Sequence, residues 1–438
     1  MNEKLDAMIH AQMQQSGIPG LNVMVRGHGK VLEQRSYGFA NLEHGVPVKA
    51  ETVFQIGSIG KQFAATAVML LVESGKIDLE ASISTYFSGV AESWSGVKVK
   101  HLLTHTAGVP SDFAGVDLRA DLSEDELLEK ILAGTLEFTP GDRFSYSNDG
   151  YKLVGILISK VSGIFYGDFL RGQIFQPLGM KTAQIIDDAA IIANRAAGYV
   201  RHGPELKNQD WVSATFNSTA DGAIYMTLED FAHWDDALRE GKILSTSSLE
   251  GMWTPTVLND GSTSNYGFGW GLHETQGVRC VGHGGAWQGF TAHFLKSLGD
   301  DLSITTLTNI AGINIERIAL GILGLFNPIF TPKPEPEAIS DLEPEVTAFA
   351  QAFLQRWTAG SLEASEFTNE LWDPTFTGEV GTYLTQQGSE PKLEVLARFE
   401  KDGLKISRYR LKFAFARELF EIARNLQGEV AHLLIHPA

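Results

Sequence analysis

The sequence predicts an α/β (α+β) protein. One antiparallel sheet is built from both ends of a 330-residue unit, a helical subdomain is inserted between those ends, and a small α+β module follows. Three observations carry this reading. Strand-like runs cluster near the N-terminus and again around residues 266–308. Segments of helical periodicity fill the stretch between them. A proline-and-charge tract, Thr331-Pro332-Lys333-Pro334-Glu335-Pro336-Glu337, then separates the last hundred residues.

The elements follow in order. Residues 3–15 have an amphipathic helical pattern. Residues 20–26 and 31–39 read as strands, joined at Gly27-His28-Gly29-Lys30 by a hairpin turn. A long helix is predicted over 58–74 and stopped by Gly75. Helices follow over 123–133, with Ser123 as N-cap, over 148–162, and over 227–241, where Thr227 and Asp230 suit a capping box. Strands are expected at 266–272, 278–283, 289–295 and 302–308, and a helix at 313–325. Short turns between consecutive strands imply antiparallel pairing. The predicted division is therefore 1–330, a linker at 331–344, and a module at 345–438 with a helix over 345–358 and strands at 404–414, 418–424 and 430–435.

Composition narrows the function. The chain has 438 residues, of which 43% are hydrophobic and 20% charged, an ordinary profile for a chain with a sizeable core. A formal net charge of -18 repels phosphate backbones and anionic surfaces, so neither nucleic acid nor membrane is an expected partner. Homo-oligomerisation is left open. The single cysteine, Cys280, cannot form an internal disulfide and reads as a buried thiol. The start of the chain is polar and acidic, without the apolar run of a secretory leader, so the expectation is a cytoplasmic protein.

Chemistry enters at Gly57-Ser58-Ile59-Gly60-Lys61. Serine and lysine three apart at a helix start share one face. A serine hydroxyl attacks only when a neighbour takes its proton, and a buried lysine can serve. The motif alone is weak, since a capping serine and an exposed lysine look the same. Tyr146-Ser147-Asn148 adds a phenol able to exchange protons and an amide able to orient Lys61, although a turn tyrosine and a helix-capping Asn148 would look alike. Gly282-His283-Gly284-Gly285-Ala286 adds a small-residue strand on which His283 and Gly285 face one side. The backbone N–H groups of Ala286 and Ser58 together would make an oxyanion hole. A glycine-rich bend with a structural histidine is the plainer reading of that segment.

In this order the three motifs resemble the signature of penicillin-recognising serine enzymes, in the branch carrying Tyr-x-Asn: class C β-lactamases, D-alanyl-D-alanine carboxypeptidases, D-aminopeptidases and related esterases. Phe54-Gln55-Ile56-Gly57, the 101–108 segment His-Leu-Leu-Thr-His-Thr-Ala-Gly, Tyr266-Gly267-Phe268-Gly269-Trp270 and Gly289-Phe290 extend the match over about residues 5–325. The resemblance implies Ser58 as nucleophile, Lys61 and Tyr146 as proton carriers, Asn148, His283, Gly285 and Ala286 around the substrate, and neither metal nor cofactor. It also implies one departure. His283 stands where β-lactamases of this type have lysine, and a largely neutral ring is a poorer anchor for a carboxylate. The expected substrate is thus an amide or small peptide, plausibly with a D-residue, as in D-aminopeptidases. A carboxylesterase and a non-hydrolytic sensor are the alternatives. For the last module a cystatin-like fold or a small β-barrel is expected.

Other motifs lead nowhere. No Gly-x-Ser-x-Gly elbow surrounds Ser58, Gly60-Lys61 is not part of a full phosphate loop, and His101 and His105 lack the glutamate of a His-Glu-x-x-His zinc helix. Trp211 and Trp287 read first as packing residues, and Asp221, Tyr225 and residues 195–201 carry no readable signal.

Overall fold

The computed structural model describes residues 2–110, 117–203, 205–369, 371–372, 374–387, 391–414 and 417–437. After α1 (Asn2–Ser16) come strands β1 (Gly20–Gly27), β2 (Lys30–Asn41) and β3 (Val46–Pro47). The helices that matter for the site are α2 (Gly60–Glu73), α3 (Asn148–Ser162) and α4 (Leu228–Glu240). Strands β4 (Gly271–Thr275), β5 (Val278–Trp287), β6 (Phe290–Ser297) and β7 (Leu302–Thr308) follow, then α5 (Ile315–Leu323). The seven strands form one antiparallel sheet in the order β4-β5-β6-β7-β1-β2-β3. The seam between the two ends of the chain is β1 against β7, with Leu21 opposite Thr308 and Gly27 opposite Leu302.

Both faces of β1 are covered, so all eight of its residues are buried. Alternation along the strand sends Leu21, Val23 and Val25 to one face, against Leu5 and Ile9 of α1 and Ile318 and Ile322 of α5. Met24 points to the other face, into the larger core shared with α2, α3 and α4. Beneath the sheet on that side lies a buried ionic knot. Asp235 of α4 accepts from Arg26 (2.7 Å), Lys296 (3.0 Å) and Ser303 (3.0 Å). Arg26 also pairs with Asp236 (2.8 Å) and Lys296 with Asp301 (2.9 Å), so the two cations are stable here because each is matched and hydrogen-bonded.

Three expected elements differ. The strand expected at 266–272 begins only at Gly271: Gly269 has φ +76°, and a Cβ there would lie 2.6 Å from the Lys61 carbonyl, so this segment turns to pack on α2. Strand β5 runs on to Trp287 and closes on β6 through Gln288 (φ +40°) and Gly289 (φ +82°), the positive pair of a type I′ turn. The 58–74 helix is regular only from Gly60, because Gly57–Ile59 is a tight 3-10 turn.

Toward the C-terminus, α6 (Pro344–Thr358) and α7 (Pro374–Gln386) accompany an open antiparallel sheet, β8 (Lys392–Lys401), β9 (Leu404–Lys412), β10 (Arg417–Arg424) and β11 (Val430–Pro437), in that order. No barrel closure occurs among the described strands. Phe353, Trp357, Tyr409 and Phe420 build a hydrophobic cluster of this region's own residues. Segment 331–343 is tied to this sheet: Arg410 pairs with Glu335 and donates to the Pro336 carbonyl, and the Ile339 N–H donates to Val395. Helix α7 and strand β8 escape the sequence reading. Two glycines, Gly378 and Gly381, blur the helical pattern of the first, and the second is only partly buried. No single described helix is long and apolar enough to cross a membrane.

Candidate active site

The site forms where the 3-10 turn at the head of α2 meets strand β5. Gly57 has φ +52°, and a Cβ on it would lie 2.3 Å from the Ala286 nitrogen. A Cβ on Gly285 would lie 1.9 Å from the Ile56 carbonyl oxygen and 2.9 Å from the Ser58 nitrogen. Only glycine at both positions lets the two backbones touch. The type I′ turn makes Trp287 and Phe290 a hydrogen-bonded pair, so alternation turns the N–H of Ala286 away from β6 and toward the Ser58 turn. The main chains of Ser58 and Ala286 therefore meet at one point.

Lys61 is fully buried in the first turn of α2, one turn on from Ser58. Its Nζ donates to Ser58 Oγ (2.9 Å), to Asn148 Oδ1 (2.9 Å) and to the main-chain oxygen of Asp221 (2.6 Å). These contacts satisfy the three protons of an ammonium, and one of them leads to the half-exposed serine. Loss of one proton would leave a lone pair with Ser58 as its neighbour. The Tyr146 ring centroid is 4.9 Å from the same nitrogen and that of Tyr151 is 5.4 Å away. Asn148 is not the cap of α3. Ser147 fills that position, accepting from the Gly150 N–H at 3.0 Å, which leaves the Asn148 amide free to face Lys61.

Tyr146 is held from behind by His105, whose ring stacks on it at 4.1 Å. His105 adopts φ +56° and accepts from the Ser147 N–H at 3.0 Å, so it fixes the whole Tyr146–Asn148 segment. His101 likewise accepts from the backbone, at Lys98. On the other side, His283 Nδ1 contacts the Gly284 carbonyl, which can only accept. Nδ1 therefore carries the proton, and Nε2 accepts from the Tyr266 hydroxyl at 2.8 Å. Burial among these rings, then the positive charge of Lys61, lowers the His283 pKa to about 4. Burial and Lys61 push His105 down as well. Both rings are neutral at pH 7, and the site holds one cation without repulsion.

The cleft before Ser58 encloses about 430 Å³. Its walls include Asn148, Lys152, Phe216, Asp221, Ala286 and Trp287. Trp287 therefore packs against the core and also walls the cleft, and its indole N–H donates to Asn217 at 2.9 Å. Trp211 is 56% exposed and borders a different depression. Cys280 is buried away from the cleft, and burial pushes its thiol up to about 11.

All seven expected site residues thus gather around one turn. The sequence reading missed Asp221, His105 and Tyr266. The last two lie within segments already noted, but their contacts depend on chain crossings that no local spacing encodes.

A Beta-lactamase family model matches residues 5–321. Penicillin-binding protein 4* of Bacillus subtilis is 29% identical over 305 residues, 66% of this chain and 67% of that protein. A D-aminopeptidase of Brucella anthropi is 30% identical over 338 residues, which is 73% of this chain but 62% of the enzyme's own length. Among solved structures, the octameric penicillin-binding protein homologue from Pyrococcus abyssi superposes with TM-score 0.67 at 22% identity, covering 96% of this chain and 95% of that one. A D-amino acid amidase from Ochrobactrum anthropi SV3 gives 0.62 at 24%, covering 74% and 97%. These two structures share the fold.

Proposed function

The chain belongs to the Beta-lactamase family and is a serine hydrolase, and from that premise we propose that it cleaves amide or peptide bonds of small substrates with a D-amino acid on the acyl side. The observation that carries the mechanism is the triple contact of Lys61 with Ser58, Asn148 and the Asp221 carbonyl.

In the proposed reaction Ser58 Oγ forms a bond to the substrate carbonyl carbon as its proton passes to the Lys61–Tyr146 pair. The charge that builds on the carbonyl oxygen is met by the N–H groups of Ser58 and Ala286. The C–N bond then breaks and the departing amine takes the proton back. Water repeats the sequence in reverse on the ester at Ser58. Asn148 keeps Lys61 aimed at the nucleophile. Gly285 gives the substrate a flat strand edge, and neutral His283 shapes that edge through Tyr266. The D preference is supported by the D-aminopeptidase of Brucella anthropi.

The test is turnover of D-alanyl and L-alanyl p-nitroanilides beside a short-chain p-nitrophenyl ester, with Ser58→Ala as the blank. Ser58-dependent cleavage of the D-anilide, with little of the L form, is expected. Cleavage of the ester with neither anilide touched overturns the amide reading in favour of a carboxylesterase. A stable, unreleased acyl adduct overturns hydrolysis itself.

A further inference from the structure

Among the described residues, two ionisable side chains line the cleft, and they differ in what they face. Lys152 is buried and paired at 2.7 Å with the equally buried Asp149, so its charge is already matched. Asp221 is half-buried, and among the described residues no hydrogen bond or ion pair reaches its carboxylate. Yet its main chain is bound tightly: the Asp221 carbonyl accepts a hydrogen bond from Lys61 at 2.6 Å, while Ser58 Oγ accepts another at 2.9 Å. Asp221 thus lines the same cleft as Ser58, with its main chain one hydrogen bond from Lys61.

A carboxylate in that position is costly to leave unmatched when a substrate closes the cleft and removes its water. A substrate bearing a cation two bonds from the scissile carbonyl, the separation of the α-ammonium from the carbonyl carbon of an amino acid, removes that cost. Phe216 and Trp287 supply apolar surface for the neighbouring side chain.

We propose that Asp221 is a specificity residue of this cleft, accepting hydrogen bonds from the α-ammonium of substrates whose acyl residue has a free amino terminus. The proposal deepens the serine hydrolase reading and rests on it, but it does not need amide cleavage. It assigns exo action, on the first residue of a chain, and excludes acylated amino acids as good substrates.

The experiment uses methyl esters of D- and L-alanine, each with a free or an N-acetylated amine, so that an enzyme without amidase activity still reports. Ester hydrolysis without anilide hydrolysis would sink the amide reading alone. For the wild type, kcat/KM is expected to favour the free ammonium, and the preference should fade as pH rises past about 8, where that amine loses its proton. In Asp221→Asn the ratio of free to acetylated kcat/KM should fall about 10- to 100-fold, as expected for loss of a charge-assisted hydrogen bond. Asp221→Glu should recover part of it. The asparagine variant keeps the main-chain carbonyl that Lys61 needs, and labelling of Ser58 by a fluorophosphonate reports an intact turn. A wild-type ratio near one, or a ratio unmoved by Asp221→Asn while labelling persists, overturns the proposal. Should Asp221→Asn fail to fold, the wild-type ratio and its pH dependence decide alone.

Discussion

The catalytic cleft and the C-terminal sheet both bury ionisable groups, with opposite results. Around Ser58 burial keeps two histidines neutral: His105 lies well below its ordinary pKa and His283 is near 4. His293, buried in β6, is near 4 as well. In the C-terminal sheet burial acts on an acid. Glu418 of β10 is buried, accepts a 2.7 Å hydrogen bond from Tyr383, and has its pKa raised by burial to about 7. Desolvation disfavours whichever form is charged. The lesson is that one physical term gives two regions opposite responses to pH. Only the first region combines it with a fully buried ammonium hydrogen-bonded to a serine.

The strongest way to break this contrast is by activity. Ser58→Ala and Lys61→Ala should each lower kcat/KM by roughly 10⁴-fold or more, as loss of a nucleophile or its proton acceptor does. Glu418→Gln should leave it within about threefold. A large loss from Glu418→Gln would mean that the C-terminal sheet serves the cleft.

Next in size is the ionic knot. Asp235→Ala removes the buried carboxylate that Arg26 and Lys296 share and leaves them only the partly exposed Asp236 and Asp301, so it should cost about 2–3 kcal/mol in urea unfolding, below the cost of a wholly unpaired buried charge. A loss under about 1 kcal/mol would show that water reaches the knot.

The contrast sharpens in the pH dependence of stability. The histidines have folded pKa values below their unfolded ones, so the unfolded chain binds more protons between about pH 6.5 and 4. Their contribution is present above pH 6.5 and is lost as pH falls through that window. Glu418 has a raised folded value, so its contribution is present below about 4.5 and lost as pH rises toward 7, about 3 kcal/mol in all. Calorimetry from pH 5 to 8 should show the Glu418→Gln variant losing the second slope and keeping the first. Equal slopes in variant and parent would mean that Glu418 is ionised in the native protein.

The smallest expected effect is at His283. Replacing it with lysine places a cation where a β-lactam carboxylate would lie, and should raise the rate of Ser58 acylation by a penicillin about threefold to tenfold. No gain in stopped-flow acylation would mean that the Tyr266 contact, not the charge, sets this edge of the cleft.

What the amino-acid sequence determined by itself is what lies within a few residues. Ser58 and Lys61 are a turn apart on one helix start, Tyr146 and Asn148 flank one serine, and His283, Gly285 and Ala286 lie on one strand. Their spacing names the chemistry because secondary structure converts it directly into shared faces. The strands at both ends and the helices between were legible for the same reason. Tertiary structure alone decided the rest. The carbonyl that completes the shell of Lys61 belongs to Asp221, 160 residues away, and every residue has a carbonyl, so no side-chain pattern marks this one. His105 behind Tyr146, Tyr266 against His283 and Asp235 between Arg26 and Lys296 are likewise pairs brought together by chain crossings. In the sequence Gly57 is only the residue before the nucleophile and Gly285 one member of a small-residue strand. Their purpose, to let the turn of Ser58 touch the edge of β5, exists only once the two backbones are packed, because a missing side chain gains meaning from what fills its place.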